Sequence, residues 1–352
     1  MRVVAAMSGG VDSSVVAALL HAEGHEVIGV TLQLYDHGAA QGRKGACCAG
    51  QDIHDARRVA DRLGIAHYVV DAEARFAAEV MAPFARSYAG GETPVPCVRC
   101  NQTVKFRDLL ALADELGAEA LATGHYVRRV AGPDGAEMHR ARDGTRDQSW
   151  FLFATTRAQL ARARFPLGDM PDKGAVRACA AEFGLAVADK PDSQDICFVP
   201  QGSYAETVRR HHPEALQPGE IVDTNGLVLG RHDGIARYTV GQARRLGVAD
   251  GRVVVRIEPE TRRIVVGRRD QGRHEFYLNE VNWLIDPPAA GLECGVKLRA
   301  RDDVRPAQVT PDGCAGAHVR LATPALPAPG QACVFYQGER VLGGGFICRD
   351  HA

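Results

Sequence analysis

Three cysteines stand in segments whose other residues suggest chemistry. Cys97 and Cys100 lie three positions apart in PCVRCN, and Cys197 lies near the end of KPDSQDICF. A C-x-x-C pair can be half of a zinc site, a reactive dithiol or two unrelated thiols. The chain has no second C-x-x-C, so a zinc site here would need Cys47, Cys48 or a histidine to complete it. We interpret the vicinal Cys47 and Cys48 as a loop feature, because neighbouring cysteines do not easily share one tetrahedral ion.

A glycine-rich segment, SGGVDSS, is the second candidate for chemistry. It stands between an apolar, strand-like run and a helix-like run. Gly9 and Gly10 carry no Cβ, so backbone N–H groups can approach an anion there, and a helix N-terminus adds a positive dipole. Ser8 and Ser13 supply hydroxyl groups, and Asp12 can help to hold magnesium or cap the helix. The spacing is not that of a Walker loop, but it predicts a site for nucleotide phosphates.

The elements that must position these residues follow two patterns. Up to about residue 200, short apolar strands alternate with amphipathic helices, which predicts an α/β domain with a doubly wound parallel sheet. Beyond about residue 205, β-branched segments punctuated by Gly, Pro and Asn predict β-hairpins. We therefore predict a mononucleotide-binding α/β domain over 1–205, a small β-rich middle domain over 206–272 and a C-terminal β-barrel-like domain over 273–352.

The sequence around Cys100 suggests a reactive thiol, whereas the sequence around Cys197 does not. The helical pattern KFRDLLALADELG predicts a helix that begins near Thr103, which would place Cys100 just before a helix N-terminus. That position stabilises a thiolate. Cys197 has apolar neighbours and is, by itself, more typical of a core residue than of a catalyst.

Composition limits the classes of function. The chain has 352 residues, ten cysteines and a formal net charge of -1, so its overall charge does not attract nucleic acid. Residues 231–273 nevertheless hold eleven arginines against five acidic residues, which indicates either a polyanion-binding surface or a general preference for arginine. No apolar run reaches the length of a membrane span and no signal peptide is evident. We expect a cytoplasmic protein with reduced thiols and no membrane partner.

SGGVDSS resembles the signature of the PP-loop ATP pyrophosphatases, which adenylate an oxygen of a substrate and release pyrophosphate. Seven segments, SGGVDSS, CNQTVKF, ATGHY, DQSWFL, DSQDICF, YTVGQ and LGGGFI, occur in the order and at about the spacing of the bacterial tRNA-specific 2-thiouridylase family. The resemblance spans essentially the whole chain. It implies a tRNA-modifying enzyme that uses ATP and Mg²⁺ to replace the C2 oxygen of the wobble uridine by sulfur, in tRNAs for lysine, glutamate and glutamine.

The resemblance also implies roles for particular residues. Cys197 would receive sulfur as a persulfide from a sulfur-carrier or cysteine desulfurase relay protein, and Cys100 would release it and leave a Cys100–Cys197 disulfide. The residues expected to bind ATP are Ala6, Met7, Ser8, Gly9, Gly10, Val11, Asp12, Ser13, Leu32 and Gly124. Those expected to contact tRNA or its target base are Val95, Pro96, Cys97, Arg146, Asp147, Gln148, Arg299 and Ala300. No resident metal ion is predicted, apart from the cluster considered next.

Cys97 departs from the family pattern, in which many relatives have an aspartate thought to act as acid or base. A thiol titrates at a higher pH than a carboxylic acid, so the proton-transfer role stays open. Cys97 can be half of a zinc site, a spectator near the base, or a ligand with Cys100 and Cys197 of an iron–sulfur cluster that carries sulfide. Two rival functions also stay open: another PP-loop ligase, such as an amidotransferase-type or argininosuccinate synthetase-like enzyme, and an RNA-binding protein that keeps the nucleotide site as a switch.

Overall fold

The structure, a computed structural model, describes residues 1–35, 48–191, 196–199, 204–244, 246–248, 251–313 and 315–349. Cys47, the side chain of Cys48 and residues 192–195 of the Cys197 motif lie outside this description. The chain divides into two compact units. The first comprises Met1–Glu79, Cys97–Pro200 and Glu339–Val341, and the second comprises Val80–Pro96, Gln201–Gly338 and Leu342–Ala352.

The first unit is built on a five-stranded parallel sheet with strand order β3-β2-β1-β4-β7. Its strands are β1 (Arg2–Ala6), β2 (Glu26–Gln33), β3 (Ala66–Asp71), β4 (Ala120–Ala122) and β7 (Ala163–Arg164). Val3, Val4 and Ala5 of the central strand are fully buried, as expected where helices cover both faces of a parallel sheet. The predicted doubly wound parallel sheet is confirmed.

The helices follow the strands in the alternation that the sequence predicts. They are α1 (Val11–Ala22), α2 (Cys48–Leu63), α3 (73–89), α4 (96–115), α5 (Ser149–Leu152), α6 (Arg157–Arg162) and α7 (Lys173–Glu182). α1 buries Val15, Val16 and Leu20 against the sheet and α7, which seats its N-terminus at the carboxyl end of β1. An antiparallel hairpin of β5 (Val127–Gly132) and β6 (Gly135–Arg140) follows β4.

Helix α4 corrects the helix start expected near Thr103. The helix begins at Pro96, whose fixed φ suits a first helical turn, so Cys100 lies inside it. From Asn101 to Asp108 the backbone widens into a π-helical segment before the α-helix resumes at Leu109. Cys100 therefore receives no stabilisation from a helix N-terminus.

The second unit contains a small four-stranded sheet with strand order β10-β11-β8-β9. Its strands are β8 (Gly219–Asp223), β9 (Val228–His232), β10 (Val253–Glu258) and β11 (Arg263–Gly267). They form two antiparallel hairpins, joined by a parallel pairing of β8 with β11. Helix α8 (Tyr204–His211) precedes this sheet, and Tyr204 stacks on Tyr88 of α3 with ring centroids 6.0 Å apart.

The C-terminal part of the chain forms a closed six-stranded β-barrel. Its strands are β12 (Arg273–Trp283), β13 (Leu292–Lys297), β14 (Arg305–Asp312), β15 (Gly316–Ala325), β16 (Ala332–Gln337) and β17 (Arg340–Ile347). The strand order is β12-β15-β14-β13-β16-β17, and pairing of β12 with β17 closes the barrel. Phe276 and Leu278 point into its core while Tyr277 between them is exposed, the period-two alternation of a strand with one buried face. The β-rich middle part and C-terminal barrel are confirmed, whereas the boundaries at 205/206 and 272/273 stay predictions.

Among the residues that the structure describes, no helix combines the length and the apolar composition that crossing a bilayer requires.

Candidate active site

The loop between β1 and α1 has a backbone shape that depends on glycine. Gly9 has a φ of +74°, and a Cβ added there would lie 2.1 Å from the carbonyl oxygen of Asp52 on α2. Gly10 is the N-cap of α1 and provides no side-chain acceptor for the first N–H groups of the helix. An anion at this point would meet uncapped N–H groups and the positive end of the helix dipole. The loop can therefore bind an anion such as a phosphate group.

Serine hydroxyls hold the loop in place. The Ser8 N–H donates to Ser13 Oγ at 3.0 Å, and the two hydroxyl oxygens lie 3.2 Å apart. Ser13 and Ser14 both donate to the Gly10 carbonyl, at 3.2 and 2.8 Å. Ser8 is exposed while Ser13 is buried, so the Ser8 hydroxyl is the one presented to a ligand.

The carboxylate of Asp12 is bound by two residues from other elements. Lys173 at the start of α7 donates from Nζ to both carboxylate oxygens at 2.7 Å, and Tyr126 Oη donates to Oδ1 at 2.6 Å. Gly124 lies beside them, and a Cβ there would come within 3.0 Å of the Ser13 nitrogen. The ATGHY segment after β4 is thus packed directly against the start of α1.

A second lysine reaches the other side of the loop. Lys190 Nζ donates to the Gly9 carbonyl at 3.0 Å, to Asp52 at 2.7 Å and to Asp55 at 2.6 Å. Burial acts to raise the pKa of Asp55, but the hydrogen bond and charge of Lys190 outweigh it and hold that pKa below its ordinary value. Two ammonium groups, Lys173 and Lys190, therefore bracket the phosphate loop.

The other residues predicted to bind ATP lie around this loop. Ala6 ends β1, and Met7 is buried, with its carbonyl accepting a hydrogen bond from Thr31 Oγ1 at 2.7 Å. Val11 is the buried first residue of α1, and Leu32 is half-buried near the carboxyl end of β2. All lie at the carboxyl edge of the parallel sheet, where α/β folds bind their ligands.

The structure brings the three thiols into electrostatic contact with one another. Burial, helped by the charges of Cys100 and Cys97, raises the pKa of Cys197 to about 12. Burial also raises the pKa of Cys97 and of Cys100. Cys97 and Cys197 still reach solvent, whereas Cys100 is only 6% exposed. All three are therefore protonated at neutral pH in this state of the protein.

Neighbouring aromatic and basic residues connect the thiols to the nucleotide loop. Phe198 packs edge-on against Phe76 of α3 with ring centroids 5.6 Å apart, which fixes the chain next to Cys197. The charge of Lys105 opposes the effect of burial on the pKa of all three thiols. Burial and Lys105 together keep the pKa of His125 well below its usual range. Phe106, next to Lys105, stacks on His125 with ring centroids 6.3 Å apart, and Gly124 before His125 packs against Ser13. The helix that carries Cys97 and Cys100 therefore lies next to the end of β4 that contacts the phosphate loop.

In the DQS segment predicted to contact tRNA, the side chains of Asp147 and Gln148 form hydrogen bonds within the protein. The Asp147 side chain is 3% exposed and accepts hydrogen bonds from Arg140 Nε at 3.1 Å and from Ser149 Oγ at 2.9 Å. Gln148 Oε1 accepts from the Tyr126 N–H at 2.9 Å. Arg146 is exposed, so it is the residue of this segment whose side chain faces solvent.

The remaining predicted RNA contacts lie in the second unit. Val95 and Pro96 are buried just before or at the start of α4. Arg299 Nη2 donates to the Val240 carbonyl at 2.9 Å, which ties the barrel to the YTVGQ segment. The Ala300 carbonyl accepts from the buried Lys297 Nζ at 2.8 Å.

Sequence reasoning missed three lysines of this site. Lys105 and Lys190 stand inside segments that it singled out, CNQTVKF and KPDSQDICF, but they received no role there. Lys173 belongs to no motif, and only its contact with Asp12, 161 positions earlier, reveals it. Within the described part of the chain, no group of three or more His, Cys, Asp or Glu side chains is arranged to hold a metal ion.

Comparisons with known proteins cover the whole chain. Residues 1–201 match the family model described as tRNA methyl transferase HUP domain, 205–268 the tRNA methyl transferase PRC-barrel domain, and 273–347 the aminomethyltransferase beta-barrel domain. The tRNA-specific 2-thiouridylase MnmA of Acidiphilium cryptum (strain JF-5) is 70% identical over 347 residues, which are 99% of this chain and 100% of that relative. Relatives with the same name in Gluconobacter oxydans (strain 621H) and Rhodospirillum centenum (strain ATCC 51521 / SW) are 63% and 60% identical, over all of this chain and 100% and 92% of their own lengths.

Proposed function

The chain belongs to the tRNA-specific 2-thiouridylase family, and from that premise we propose that it is a tRNA-uridine 2-sulfurtransferase. It replaces the C2 oxygen of the wobble uridine in tRNAs for lysine, glutamate and glutamine by sulfur, with AMP and pyrophosphate as the other products. The observation that carries this proposal is the electrostatic grouping of Cys97, Cys100 and Cys197, two of them on the helix next to the end of β4 that contacts the phosphate loop.

ATP activates the uridine by converting a poor leaving group into a good one. The N–H groups at the start of α1 and the Ser8 hydroxyl bind phosphate oxygens, and Lys173 and Lys190 lie close enough to neutralise their charge. Asp12 is the carboxylate nearest the loop, but Lys173 engages both its oxygens. Mg²⁺ would therefore be held mainly by the phosphates, as is usual for this ion.

Sulfur then reaches C2 through the thiols. Cys197, which is exposed, accepts a sulfur atom from a relay protein and becomes a persulfide. The terminal sulfur forms a bond to C2, Cys100 attacks the Cys197 sulfur, and the bond between that sulfur and the transferred one breaks. AMP leaves as the thiocarbonyl forms. The two cysteines end as a disulfide, which a reductant must open before the next turnover.

The RNA is bound by basic side chains, and its target base leaves the anticodon stack. C2 of a stacked uridine is not open to two reagents at once, so extrusion of the base is required. Exposed arginines of the second unit, among them Arg231, Arg244 and Arg269, supply charges that can follow a phosphate backbone. Affinity for tRNA should then fall steeply as salt concentration rises. Reversing the charge of Arg244 should weaken binding, and unchanged affinity would assign the contact to another surface. We place the reaction in the cytoplasm.

Reconstitution tests the function directly. The purified chain is incubated with unmodified tRNA, ATP, Mg²⁺ and a persulfide donor, and the anticodon nucleosides are analysed by mass spectrometry. We expect 2-thiouridine, AMP and pyrophosphate from the unaltered chain and from Cys179→Ser, a control thiol on α7. Cys100→Ser and Cys197→Ser should form none.

The same assay separates the alternatives. A methylated nucleoside, formed when S-adenosylmethionine is supplied as methyl donor in place of the persulfide donor, would favour the activity named by the family model. ATP cleavage with a small acid and without tRNA would favour another PP-loop ligase, and tRNA binding without pyrophosphate release would favour an RNA-binding protein. Activity of colourless, iron-free protein purified without oxygen would remove the iron–sulfur route, whereas activity that requires iron would favour it.

A further inference from the structure

Lys105 stands near the thiols and has no polar partner in the part of the chain that the structure describes. It lies on α4, five residues after Cys100, and its side chain is half-buried. Among the described residues it makes no hydrogen bond or ion pair, unlike Lys173 and Lys190, which are bound to carboxylates. An ammonium group that is partly removed from water and left unpaired has a cost, so its position requires an explanation.

The π-helical segment explains how Lys105 reaches the thiols. In an α-helix, five residues correspond to about 500° of rotation, which would turn Lys105 roughly 140° away from Cys100. A π-helix has about 4.4 residues per turn, so the same five residues leave an offset of only about 50°. Asn101–Asp108 is π-helical, and the wider turn therefore carries Lys105 towards the face of Cys100. Cys97, three residues before Cys100, shares that face.

The charged and titratable groups that Lys105 faces come from three parts of the chain. Cys97 and Cys100 lie on its own helix, Cys197 lies on the segment that follows α7, and His125 follows β4. Its positive charge acts on all four. The proposed reaction develops negative charge on sulfur at both Cys197 and Cys100, because a persulfide anion attacks C2 while a thiolate attacks the Cys197 sulfur.

We propose that Lys105 is a positioning residue of the sulfur-transfer step, whose ammonium group stabilises the Cys100 thiolate and the Cys197 persulfide anion. This inference rests on the proposed function. Lys105 forms no bond to the substrate and transfers no proton. It compensates the negative charge of the terminal sulfur before that sulfur attacks C2, and the negative charge of Cys100 before the S–S bond breaks. That bond cleavage leaves a neutral disulfide and passes the charge to the transferred sulfur.

The test compares Lys105→Met with Lys105→Arg and with Arg107→Met. Arg107 is a matched control, because it is a cation of the same π-helical segment but points to solvent and binds Glu79 at 2.9 Å. Alkylation of each cysteine by iodoacetamide is followed by mass spectrometry between pH 7 and 10, without ATP or tRNA. Lys105→Met should slow alkylation of Cys100 and Cys197 at a given pH by about three- to tenfold, the effect of half to one unit in pKa. In Lys105→Arg and in Arg107→Met, the alkylation rates of Cys100 and Cys197 should stay within about twofold of those in the unaltered chain.

An alkylation profile of Lys105→Met that matches the unaltered chain would overturn the inference. If Lys105→Met does not fold, Lys105→Gln, which keeps a polar side chain, replaces it and is judged by the same criterion. A second readout is kinetic: Lys105→Met should lower kcat for 2-thiouridine formation by about tenfold and leave KM for ATP within twofold. Because alkylation is measured without substrates, it decides the role of Lys105 even if reconstitution yields no 2-thiouridine.

Discussion

Replacing Gly9 by alanine tests whether the phosphate loop is held by its contact with α2. Alanine would have to adopt the left-handed backbone conformation of Gly9, which costs a non-glycine residue about 1–2 kcal/mol. It would also lie 2.1 Å from the Asp52 carbonyl oxygen, so backbone must move, at about 1–3 kcal/mol more. We expect Gly9→Ala to destabilise the first unit by about 2–5 kcal/mol in total. Binding of ATP should weaken as well, because the displaced loop no longer presents its N–H groups.

Gly24 provides a matched control for this experiment. It has a φ of +81°, but a Cβ there would meet no atom within 4 Å. Gly24→Ala should therefore cost only the backbone term, about 1–2 kcal/mol. Urea unfolding can be followed by the fluorescence of the buried Trp150 of the first unit in a Trp283→Phe background, since these are the two tryptophans of the chain. Equal destabilisation by Gly9→Ala and Gly24→Ala would refute the steric argument.

Three further predictions concern charges and thiols. Lys190→Met should destabilise the first unit by about 1–2 kcal/mol at pH 7, because it leaves Asp52 and Asp55 unpaired in a partly solvated site. The ionised Asp55 carboxylate stabilises the fold above its ordinary pKa, and this contribution is lost as pH falls through its lowered pKa. The difference in unfolding free energy between Lys190→Met and the unaltered chain should therefore vanish at low pH. Urea unfolding at several pH values would detect this. Cys197 is exposed, but because its pKa is about 12 it should react with iodoacetamide at pH 7.5 at least about tenfold more slowly than free cysteine. Equal alkylation rates for Cys197 and free cysteine would contradict the raised pKa. Asp147→Ala should lower the free energy of unfolding by about 2–4 kcal/mol, because Arg140 and Ser149 lose their hydrogen-bond acceptor. Arg146→Ala should change tRNA affinity and leave the urea unfolding midpoint unchanged. The reverse pattern would make Asp147 the RNA contact.

Much of the fold follows from local patterns. The apolar run of β1 predicts a buried parallel strand, and Gly9 and Gly10 predict the loop that follows it. Both features could be predicted because each depends only on residues that are close in the sequence. The β5–β6 hairpin has a local signal as well: Pro133 and Asp134 form the turn and Gly135 follows it, a pattern that sequence reasoning passed over.

The parts that could not be predicted depend on contacts between distant residues. Lys190 meets Gly9 across 181 positions, and no periodicity in the sequence encodes that distance. The π-helical segment after Cys100 is equally hidden, since the residues of Asn101–Asp108 show no feature that distinguishes them from an α-helical stretch. For this reason the sequence assigned Cys100 to a helix N-terminus, whereas the structure buries it within a helix.

The closed barrel makes its first strand dependent on its last. β12 is flanked by β15 and β17, so its hydrogen bonds on one side can form only after Arg340–Ile347 has been synthesised. A chain interrupted before that point would leave β12 and β16 each with an open row of backbone donors and acceptors, which other chains can pair with. Translation must therefore pass Ile347 before the barrel can close, and products truncated before β17 should be found in inclusion bodies.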